Sequence, residues 1–204
     1  MSNITSTILN GIRGRRSIHA LTNQSTIPDE RIEELISEVV KHAPSAFNTQ
    51  TTRAVVLLKA ENEKLWDVAR EVASSTVPAE LFAKAYDSRI AAFRAAYGTV
   101  LFYEDPTPFV GLGEKWPMLK SEFPEWSNVT NGMHQFAAWT LLESEGLGAN
   151  LQHYNGILQV RASEEWKIPA EWSLKAQLVF GTPAGPPKEK VSEPVEKRLF
   201  VHGK

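Results

Sequence analysis

Hydrophobic residues recur with helical spacing in the first part of the chain. The clearest pattern predicts a helix with one buried face, because its apolar positions follow i, i+3, i+4, i+7 and i+8: Ile32, Leu35, Ile36, Val39 and Val40. Thr26, Pro28 and Asp29 are suitable residues for its start. The helix is expected to end at Pro44, because the residue before a proline avoids helical dihedral angles.

Similar patterns predict five further helices, over residues 4–13, 61–74, 78–97, 127–146 and 156–165. The helix over 127–146 carries apolar residues around most of its circumference: Val129, Met133, Phe136, Ala137, Trp139, Leu141 and Leu142. Such a helix is buried on nearly all sides, so we expect it to lie in a core or against a partner subunit.

Three short apolar runs without helical spacing predict buried strands, at residues 53–59, 99–103 and 175–180. Residues 104–126 mix proline, glycine and aromatic residues, which is typical of a short helix and a lid. Helices and strands are mixed without strict alternation. The sequence therefore predicts an α+β fold, a small sheet flanked by helices, in a single domain over residues 1–204.

Composition excludes several classes of protein. The chain is 42% hydrophobic with a net charge of −2, which supports a packed core and argues against a protein that coats nucleic acid. The absence of cysteine excludes disulfides, thiolate metal sites and iron–sulfur clusters. The five histidines are scattered, so we expect no metal site. The sequence lacks a P-loop, a GxGxxG after a strand and a GxSxG elbow.

The apolar runs are too short to span a membrane, so a soluble cytoplasmic protein is the expectation. An alternative concerns residues 1–28, which hold Arg13, Arg15 and Arg16, several hydroxyl residues and no acid. This composition loosely matches an organelle transit peptide.

Three segments carry polar groups that could perform chemistry. Residues 13–19 place three guanidinium groups beside the hydroxyl of Ser17, a combination that suits phosphate; a solvated basic patch is the alternative. Residues 43–50, APSAFNTQ, form a polar loop between a helix and a strand, which could equally be an ordinary turn. Residues 146–156, GLGANLQHYNG, read as a glycine-flanked loop, and a simple connector is the alternative.

Together these three segments, in this order, resemble the FMN-dependent nitroreductase family. The resemblance is closest to the branch of the fungal fatty-acid-repression-type and bacterial copper-induced nitroreductases. It rests on Arg15-Arg16-Ser17, on residues 43–50 and on residues 146–154, and it extends over essentially the whole chain. It implies the nitroreductase-like α+β fold, with a mainly antiparallel sheet, in an intertwined homodimer with two FMN sites at the subunit interface.

The resemblance also implies a ping-pong reaction in which NAD(P)H reduces FMN, and a nitroaromatic compound or quinone then reoxidises it. Stress defence is the associated role, and a non-catalytic FMN-binding redox sensor in lipid or metal homeostasis is the alternative. The implied cofactor-binding residues are Arg15, Arg16, Ser17, His19, Pro44, Ser45, Asn48, Gln50, Leu151, Gln152, His153, Tyr154, Lys197 and Arg198. No side chain is implied as catalytic, since FMN carries the hydride.

Within this set the expected roles differ. Arg15, Arg16 and Ser17 would hold the FMN phosphate, ribityl chain and ring edge. Arg198, with Lys197 as the alternative or a second contact, would complete the phosphate site. Residues 43–50 would approach the flavin partly from the partner subunit. A backbone amide near His153 would face flavin N5. His19 stands where many family members have a lysine near the N1–C2 edge. In the 104–126 segment, the candidate lid residues are Phe109, Trp116 and Phe123.

Overall fold

The computed structural model describes residues 3–204, which form eight α-helices and five strands. The helices are α1 (Asn3–Gly14), α2 (Asp29–His42), α3 (Ala60–Thr76), α4 (Ala79–Leu81), α5 (Asp87–Arg94), α6 (Pro108–Lys115), α7 (Phe123–Ser144) and α8 (Asn155–Glu165). The strands are β1 (Leu21–Thr22), β2 (Thr52–Leu58), β3 (Gly98–Glu104), β4 (Gly148–Gln152) and β5 (Ser173–Pro183). The architecture is α+β, as the pattern predicts.

The strands form one antiparallel sheet organised around β5. One side of β5 pairs with β3, which in turn pairs with β2. The other side pairs with β4 over residues 177–181 and with the short β1 over residues 182–183. The sheet therefore has β2 at one edge, and β4 with β1 at the other.

Helices cover both faces of the sheet and create two cores. On one face α3, α5 and α8 pack around Trp66, Tyr103 and Leu158. On the other face α2 and α7 pack around Ile32 and Leu142. The central strand β3 is buried along its whole length, which explains why it appears in the sequence as a continuous apolar run.

Several predicted elements differ from the observed ones. Residues 148–152, expected to lie in a loop, form β4, because hydrogen bonding to β5 overrides their weak strand propensity. The predicted helix 78–97 is divided into α4, a π-helical segment over Phe82–Tyr86 and α5, and it ends at Arg94. Helix α7 begins at Phe123, four residues earlier than expected.

The apolar surface of α7 is only partly covered within one chain. Ala138 and Leu142 are buried, whereas Val129, Met133 and Phe136 are exposed and form a stripe along the helix. None of the helices within residues 3–204 combines the length and the apolar character needed to cross a membrane.

Candidate functional site

The arginine segment follows α1 directly and is anchored by α7. The backbone N–H of Arg16 donates to Glu143 Oε2 at 2.7 Å, and Trp139 Nε1 donates to Glu143 Oε1 at 2.9 Å. The guanidinium of Arg15 lies 4.5 Å from the centroid of the Trp139 ring, a distance typical of a cation–π contact. Glu143 thus fixes the position of two basic residues, although 127 residues separate it from Arg16.

Burial dominates the electrostatics of this anchor, and the net pKa of Glu143 lies above its ordinary value. Burial raises the pKa of Glu143, while the N–H groups of Arg16 and Trp139 and the charge of Arg15 oppose that rise. Beside it, between α1 and the end of α7, lies a groove of about 570 Å³ that Arg15 and Glu143 help to line. Ser17 is exposed next to the two arginines. The segment therefore presents positive charge and a hydroxyl at one surface, the donor set that an anion requires.

A chain of hydrogen bonds continues from this segment along β4. Ile18 N donates to Ala149 O at 2.9 Å, next to an isolated bridge between Ser17 and Ala149. Asn150 Nδ2 donates to Ile18 O at 2.8 Å, and Gln152 Nε2 donates to Asn150 Oδ1 at 2.7 Å. Strand β4 thus joins the first predicted segment to the third, over ~13 Å from residue 149 to residue 153.

A second pocket, of about 560 Å³, lies at the far end of β4. It is lined by Leu81, Ala85, Tyr86, Arg89, Gln152, His153, Tyr154, Gly156 and Ile157. The Tyr154 amide donates to Gln177 Oε1 at 2.6 Å, whereas the His153 amide has no protein acceptor within residues 3–204. The uncommitted donor is thus at the residue where the resemblance implies a flavin N5 partner.

The pocket also contains a cation that the sequence did not indicate. Arg89 is exposed on α5, and none of the carboxylates in the described part of the chain lies within ion-pairing distance of it. The neighbouring arginines Arg70 and Arg94 are both paired, to Asp87 and Asp67 at 2.8 Å. The π-helical segment ends at Tyr86, three residues before Arg89, and π-helical turns are frequent at functional sites.

The loop over residues 43–50 is rigidly held at its end. Ser45 Oγ accepts a hydrogen bond from Gln50 N at 3.0 Å, and Arg53 Nη1 donates to Gln50 O at 2.6 Å. Arg53 also forms an ion pair with Asp105 at 2.7 Å. Although burial acts in the opposite direction, hydrogen bonds from Thr107 and the charge of Arg53 lower the pKa of Asp105.

A buried carboxylate, Glu104, holds the start of strand β2, into which this loop leads. Glu104 is almost inaccessible to solvent, and it accepts hydrogen bonds from Thr52 at 2.5 Å, from Asn131 at 2.6 Å and from Ser127. These contacts connect the beginning of β2 to α7, so the loop that leads into β2 has a fixed base.

One copy of the chain does not assemble all the predicted residues. The loop with Pro44, Ser45, Asn48 and Gln50 packs beside the first half of α7, near Thr130. The arginine segment packs beside Glu143, thirteen residues further along the same helix, or ~20 Å away at 1.5 Å per residue.

Within the described residues, Lys197 and Arg198 of the tail likewise form no hydrogen bond or ion pair with the arginine segment. Lys197 and Arg198 are exposed, and Lys197 pairs only with Glu193 of the tail, at 3.3 Å. Within residues 3–204, neither side chain forms a hydrogen bond with the body of the protein. The predicted phosphate site therefore remains divided in a single copy.

Two further expectations concern the position of His19 and the identity of the lid residues. His19 is exposed and forms no hydrogen bond within the described residues, so nothing fixes its ring near the pocket. Phe123 is only 2% exposed and stacks on Phe109 at 5.0 Å, so its assignment to a lid is wrong. Trp116 is exposed and Phe109 half-buried, and both stay candidates for a lid.

Comparison with known proteins yields consistent matches. The sequence profile of the Nitroreductase family matches residues 12–182. HBN1 of Saccharomyces cerevisiae is 37% identical over 188 residues, covering 90% of this chain and 92% of that protein. The nitroreductase FRM2 of the same yeast is 35% identical over 188 residues, covering 91% and 93%.

Comparison with solved structures gives the same result as comparison of the sequences. Nitroreductase CinD from Lactococcus lactis, in complex with chloramphenicol, superimposes with a TM-score of 0.85 at 36% identity, covering 96% of this chain and all of that one. CinD has also been solved with 4-nitrophenol. A protein from Desulfovibrio desulfuricans, in complex with FMN, shares the fold at 19% identity, with a TM-score of 0.71 and 96% of each chain covered. The profile match and the yeast relatives together show that this chain belongs to the nitroreductase family.

Proposed function

We propose that this protein is an FMN-dependent oxidoreductase that uses NAD(P)H to reduce nitroaromatic compounds or quinones by a ping-pong mechanism. The observation that carries the proposal is the arrangement along β4. A cationic segment lies at one end, a pocket with the uncommitted His153 amide lies at the other, and the Asn150–Gln152 hydrogen bonds join them. This donor set fits a long molecule that has a phosphate at one end and a planar ring at the other.

In this assignment Arg15, Arg16 and Ser17 bind the phosphate and the ribityl chain, and the His153 amide donates to flavin N5. The positive charge beside the ring is assigned to Arg89, because this side chain lines the pocket wall, whereas no contact holds His19 there. Bound FMN would accept a hydride from NAD(P)H and deliver two electrons to the acceptor, so that a nitro group and two protons become a nitroso group and water. The family match and the FMN held by a protein of the same fold support this cofactor.

The proposed enzyme acts as an intertwined homodimer. Residues 43–50 and the tail residues Lys197 and Arg198 complete the cofactor site only if a second copy brings them to it. Three uncovered features favour such pairing: Phe136 at the end of the α7 stripe, the exposed Ile4, Ile8 and Ile12 of α1, and the apolar tail residues Leu199, Phe200 and Val201. A groove of about 630 Å³ along the open edge of β2 offers a place for an extended segment.

The acceptors proposed are small and flat, and a role in oxidative or nitrosative stress defence fits that chemistry. The ligands named for CinD, chloramphenicol and 4-nitrophenol, both carry a flat nitro-substituted benzene ring. The competing function is a redox sensor that binds FMN without turnover, acting in lipid or metal homeostasis.

One anaerobic titration separates the candidates. The purified protein is expected to show the near-ultraviolet and blue absorbance bands of oxidised flavin. It should bleach on addition of NADH or NADPH and recover its colour on addition of a nitroaromatic compound. A flavin spectrum that neither nicotinamide bleaches would favour the sensor. A colourless protein that FMN does not reconstitute would contradict the cofactor assignment.

A further inference from the structure

The loop over residues 43–50 contains an unusual backbone at an aromatic residue. Phe47 has a φ of 53°, and the neighbouring Asn48 and Gln50 have φ values of 54° and 49°. A left-handed φ is disfavoured for every residue with a Cβ atom, and for a bulky residue it is a clear outlier. The same Phe47 side chain is 54% exposed. The chain therefore adopts a strained conformation here and leaves an aromatic ring in solvent.

Hydrogen bonds within the loop maintain this conformation. Asn48 N donates to Ser45 O at 3.0 Å, and Thr49 Oγ1 donates to Ala46 O at 2.9 Å. With the bond between Ser45 and Gln50, these contacts form a closed turn around Phe47. The turn thus fixes the backbone from which the Phe47 ring projects.

The ring forms one wall of an apolar shelf. Its centroid lies 6.1 Å from that of Trp126, at an angle of 32° between the ring planes. The shelf has a volume of about 430 Å³ and is lined by Ala46, Phe47, Trp126, Val129, Thr130 and Met133. This volume lies within the usual range for small-molecule sites and accommodates a single substituted ring.

We propose that Phe47 is the specificity-determining residue that holds flat aromatic acceptors in this enzyme. This inference rests on the proposed function, in which residues 43–50 lie next to the flavin of the partner subunit. The exposed side-chain amides of Asn48 and Gln50 follow Phe47 in the sequence, so the loop offers an apolar surface together with hydrogen-bond donors. A nitroaromatic compound or quinone has the same combination, a flat ring with oxygen acceptors at its edge.

Backbone strain at a functional residue is expected where the surrounding structure holds it in place and the side chain has a task. A glycine at position 47 would allow the same turn without strain. The presence of phenylalanine is then explained by contact with a ligand, whereas a role in shaping the loop would not require the ring.

The test uses the flavin-loaded protein and 4-nitrophenol, whose binding is followed by perturbation of the oxidised flavin spectrum without reductant. For Phe47→Ala we expect the Kd for 4-nitrophenol to rise about tenfold, the size of effect typical of a truncated aromatic anchor, with FMN stoichiometry retained. Phe47→Tyr should restore binding to within about twofold, because it keeps the ring. Val160→Ala, an exposed apolar residue on α8, serves as the matched control and should leave the Kd unchanged.

Three other results would contradict the proposal that Phe47 holds the aromatic acceptor. An unchanged Kd in Phe47→Ala with full flavin would contradict the role of Phe47 and leave the proposed function intact. Loss of flavin or of dimer in Phe47→Ala would show that Phe47 is an interface residue. A parent protein without flavin would overturn both proposals.

A second measurement, urea denaturation, tests whether the backbone at Phe47 is strained. Phe47→Gly and Phe47→Ala both remove the ring, but only glycine adopts the left-handed conformation freely. The urea midpoint of Phe47→Gly should therefore exceed that of Phe47→Ala, while both bind 4-nitrophenol equally weakly. Equal midpoints would contradict the strain that motivates the inference.

Discussion

Gly181 illustrates how tightly single positions of this fold are constrained. A Cβ atom at Gly181 would lie 2.3 Å from Thr22 O and 3.0 Å from Tyr97 N, and both are backbone atoms that cannot rotate away. We expect Gly181→Ala to reduce the free energy of unfolding by about 2 kcal/mol or more, measured by urea denaturation.

Gly111 provides the contrast. It lies in α6, and a Cβ atom there would meet nothing within 4 Å. Gly111→Ala should leave stability unchanged or increase it by about 0.5–1 kcal/mol, because alanine is the better helix former. Equal losses in the two variants would mean that the close contact at Gly181 does not determine its identity.

Arg16 is the residue on which the proposed phosphate site depends most. Loss of a charge-assisted hydrogen bond costs about 1.5–3 kcal/mol, so Arg16→Ala should bind FMN roughly ten- to a hundredfold more weakly. The variant is expected to purify with much less flavin than the parent, measured by absorbance after denaturation. Arg70→Ala removes another exposed arginine, paired with Asp87, and should retain its flavin. Full stoichiometric flavin in Arg16→Ala would refute the phosphate role.

At the scale of elements, Asp29 connects three of them. It opens α2, accepts a hydrogen bond from Tyr97 before β3, and pairs with Lys59 after β2 at 2.5 Å. These hydrogen bonds, from Lys59 first and then Tyr97, lower the pKa of Asp29 from its ordinary 3.8. Asp29→Asn should reduce the free energy of unfolding by about 1 kcal/mol at neutral pH, a modest value because the pair is partly exposed.

The pH dependence of that loss has a definite sign. A carboxyl group whose pKa is lowered on folding stabilises the protein above its unfolded-state pKa, and this contribution disappears as the pH falls through the folded-state value. The difference between the parent and Asp29→Asn should therefore be constant near neutrality and shrink below the ordinary pKa of 3.8. Urea denaturation at a series of pH values measures it; a difference that grows on acidification would rule out the ion pair as its cause.

Strand β4 shows why one element escaped prediction. Its residues, GANLQ, include a glycine and an asparagine, which are poor strand formers in isolation. Pairing with β5 and the close approach of Leu21 and Pro183 to Gly148 establish the strand. Both contacts come from distant parts of the sequence, so no local pattern could indicate them.

At the scale of the whole molecule, the apolar tail is the feature that most favours the proposed dimer. The tail residues Leu199, Phe200 and Val201 are exposed by 61%, 73% and 52%, which is unfavourable for apolar side chains in an isolated chain. Deletion of residues 195–204 should weaken dimerisation and lower flavin content together, because it removes both the apolar segment and Arg198.

Sedimentation and flavin absorbance measure the two effects in the same samples. Deletion of residues 202–204 alone keeps Arg198 and the apolar segment, and serves as the control. A long deletion that still forms a dimer with full flavin would separate the tail from both functions.

The amino-acid sequence by itself determined the α+β class, most helices and the three long strands, and it supplied the residue types that we propose bind an anion and a flat ring. These features depend on local periodicity and on residue chemistry, which a sequence states directly. The tertiary structure alone decided that Glu143 anchors the arginine segment, that Arg89 faces the pocket and that the His153 amide is uncommitted. The physical reason is distance along the chain: such contacts join residues up to 127 positions apart, and only the packed sheet and helices bring them together.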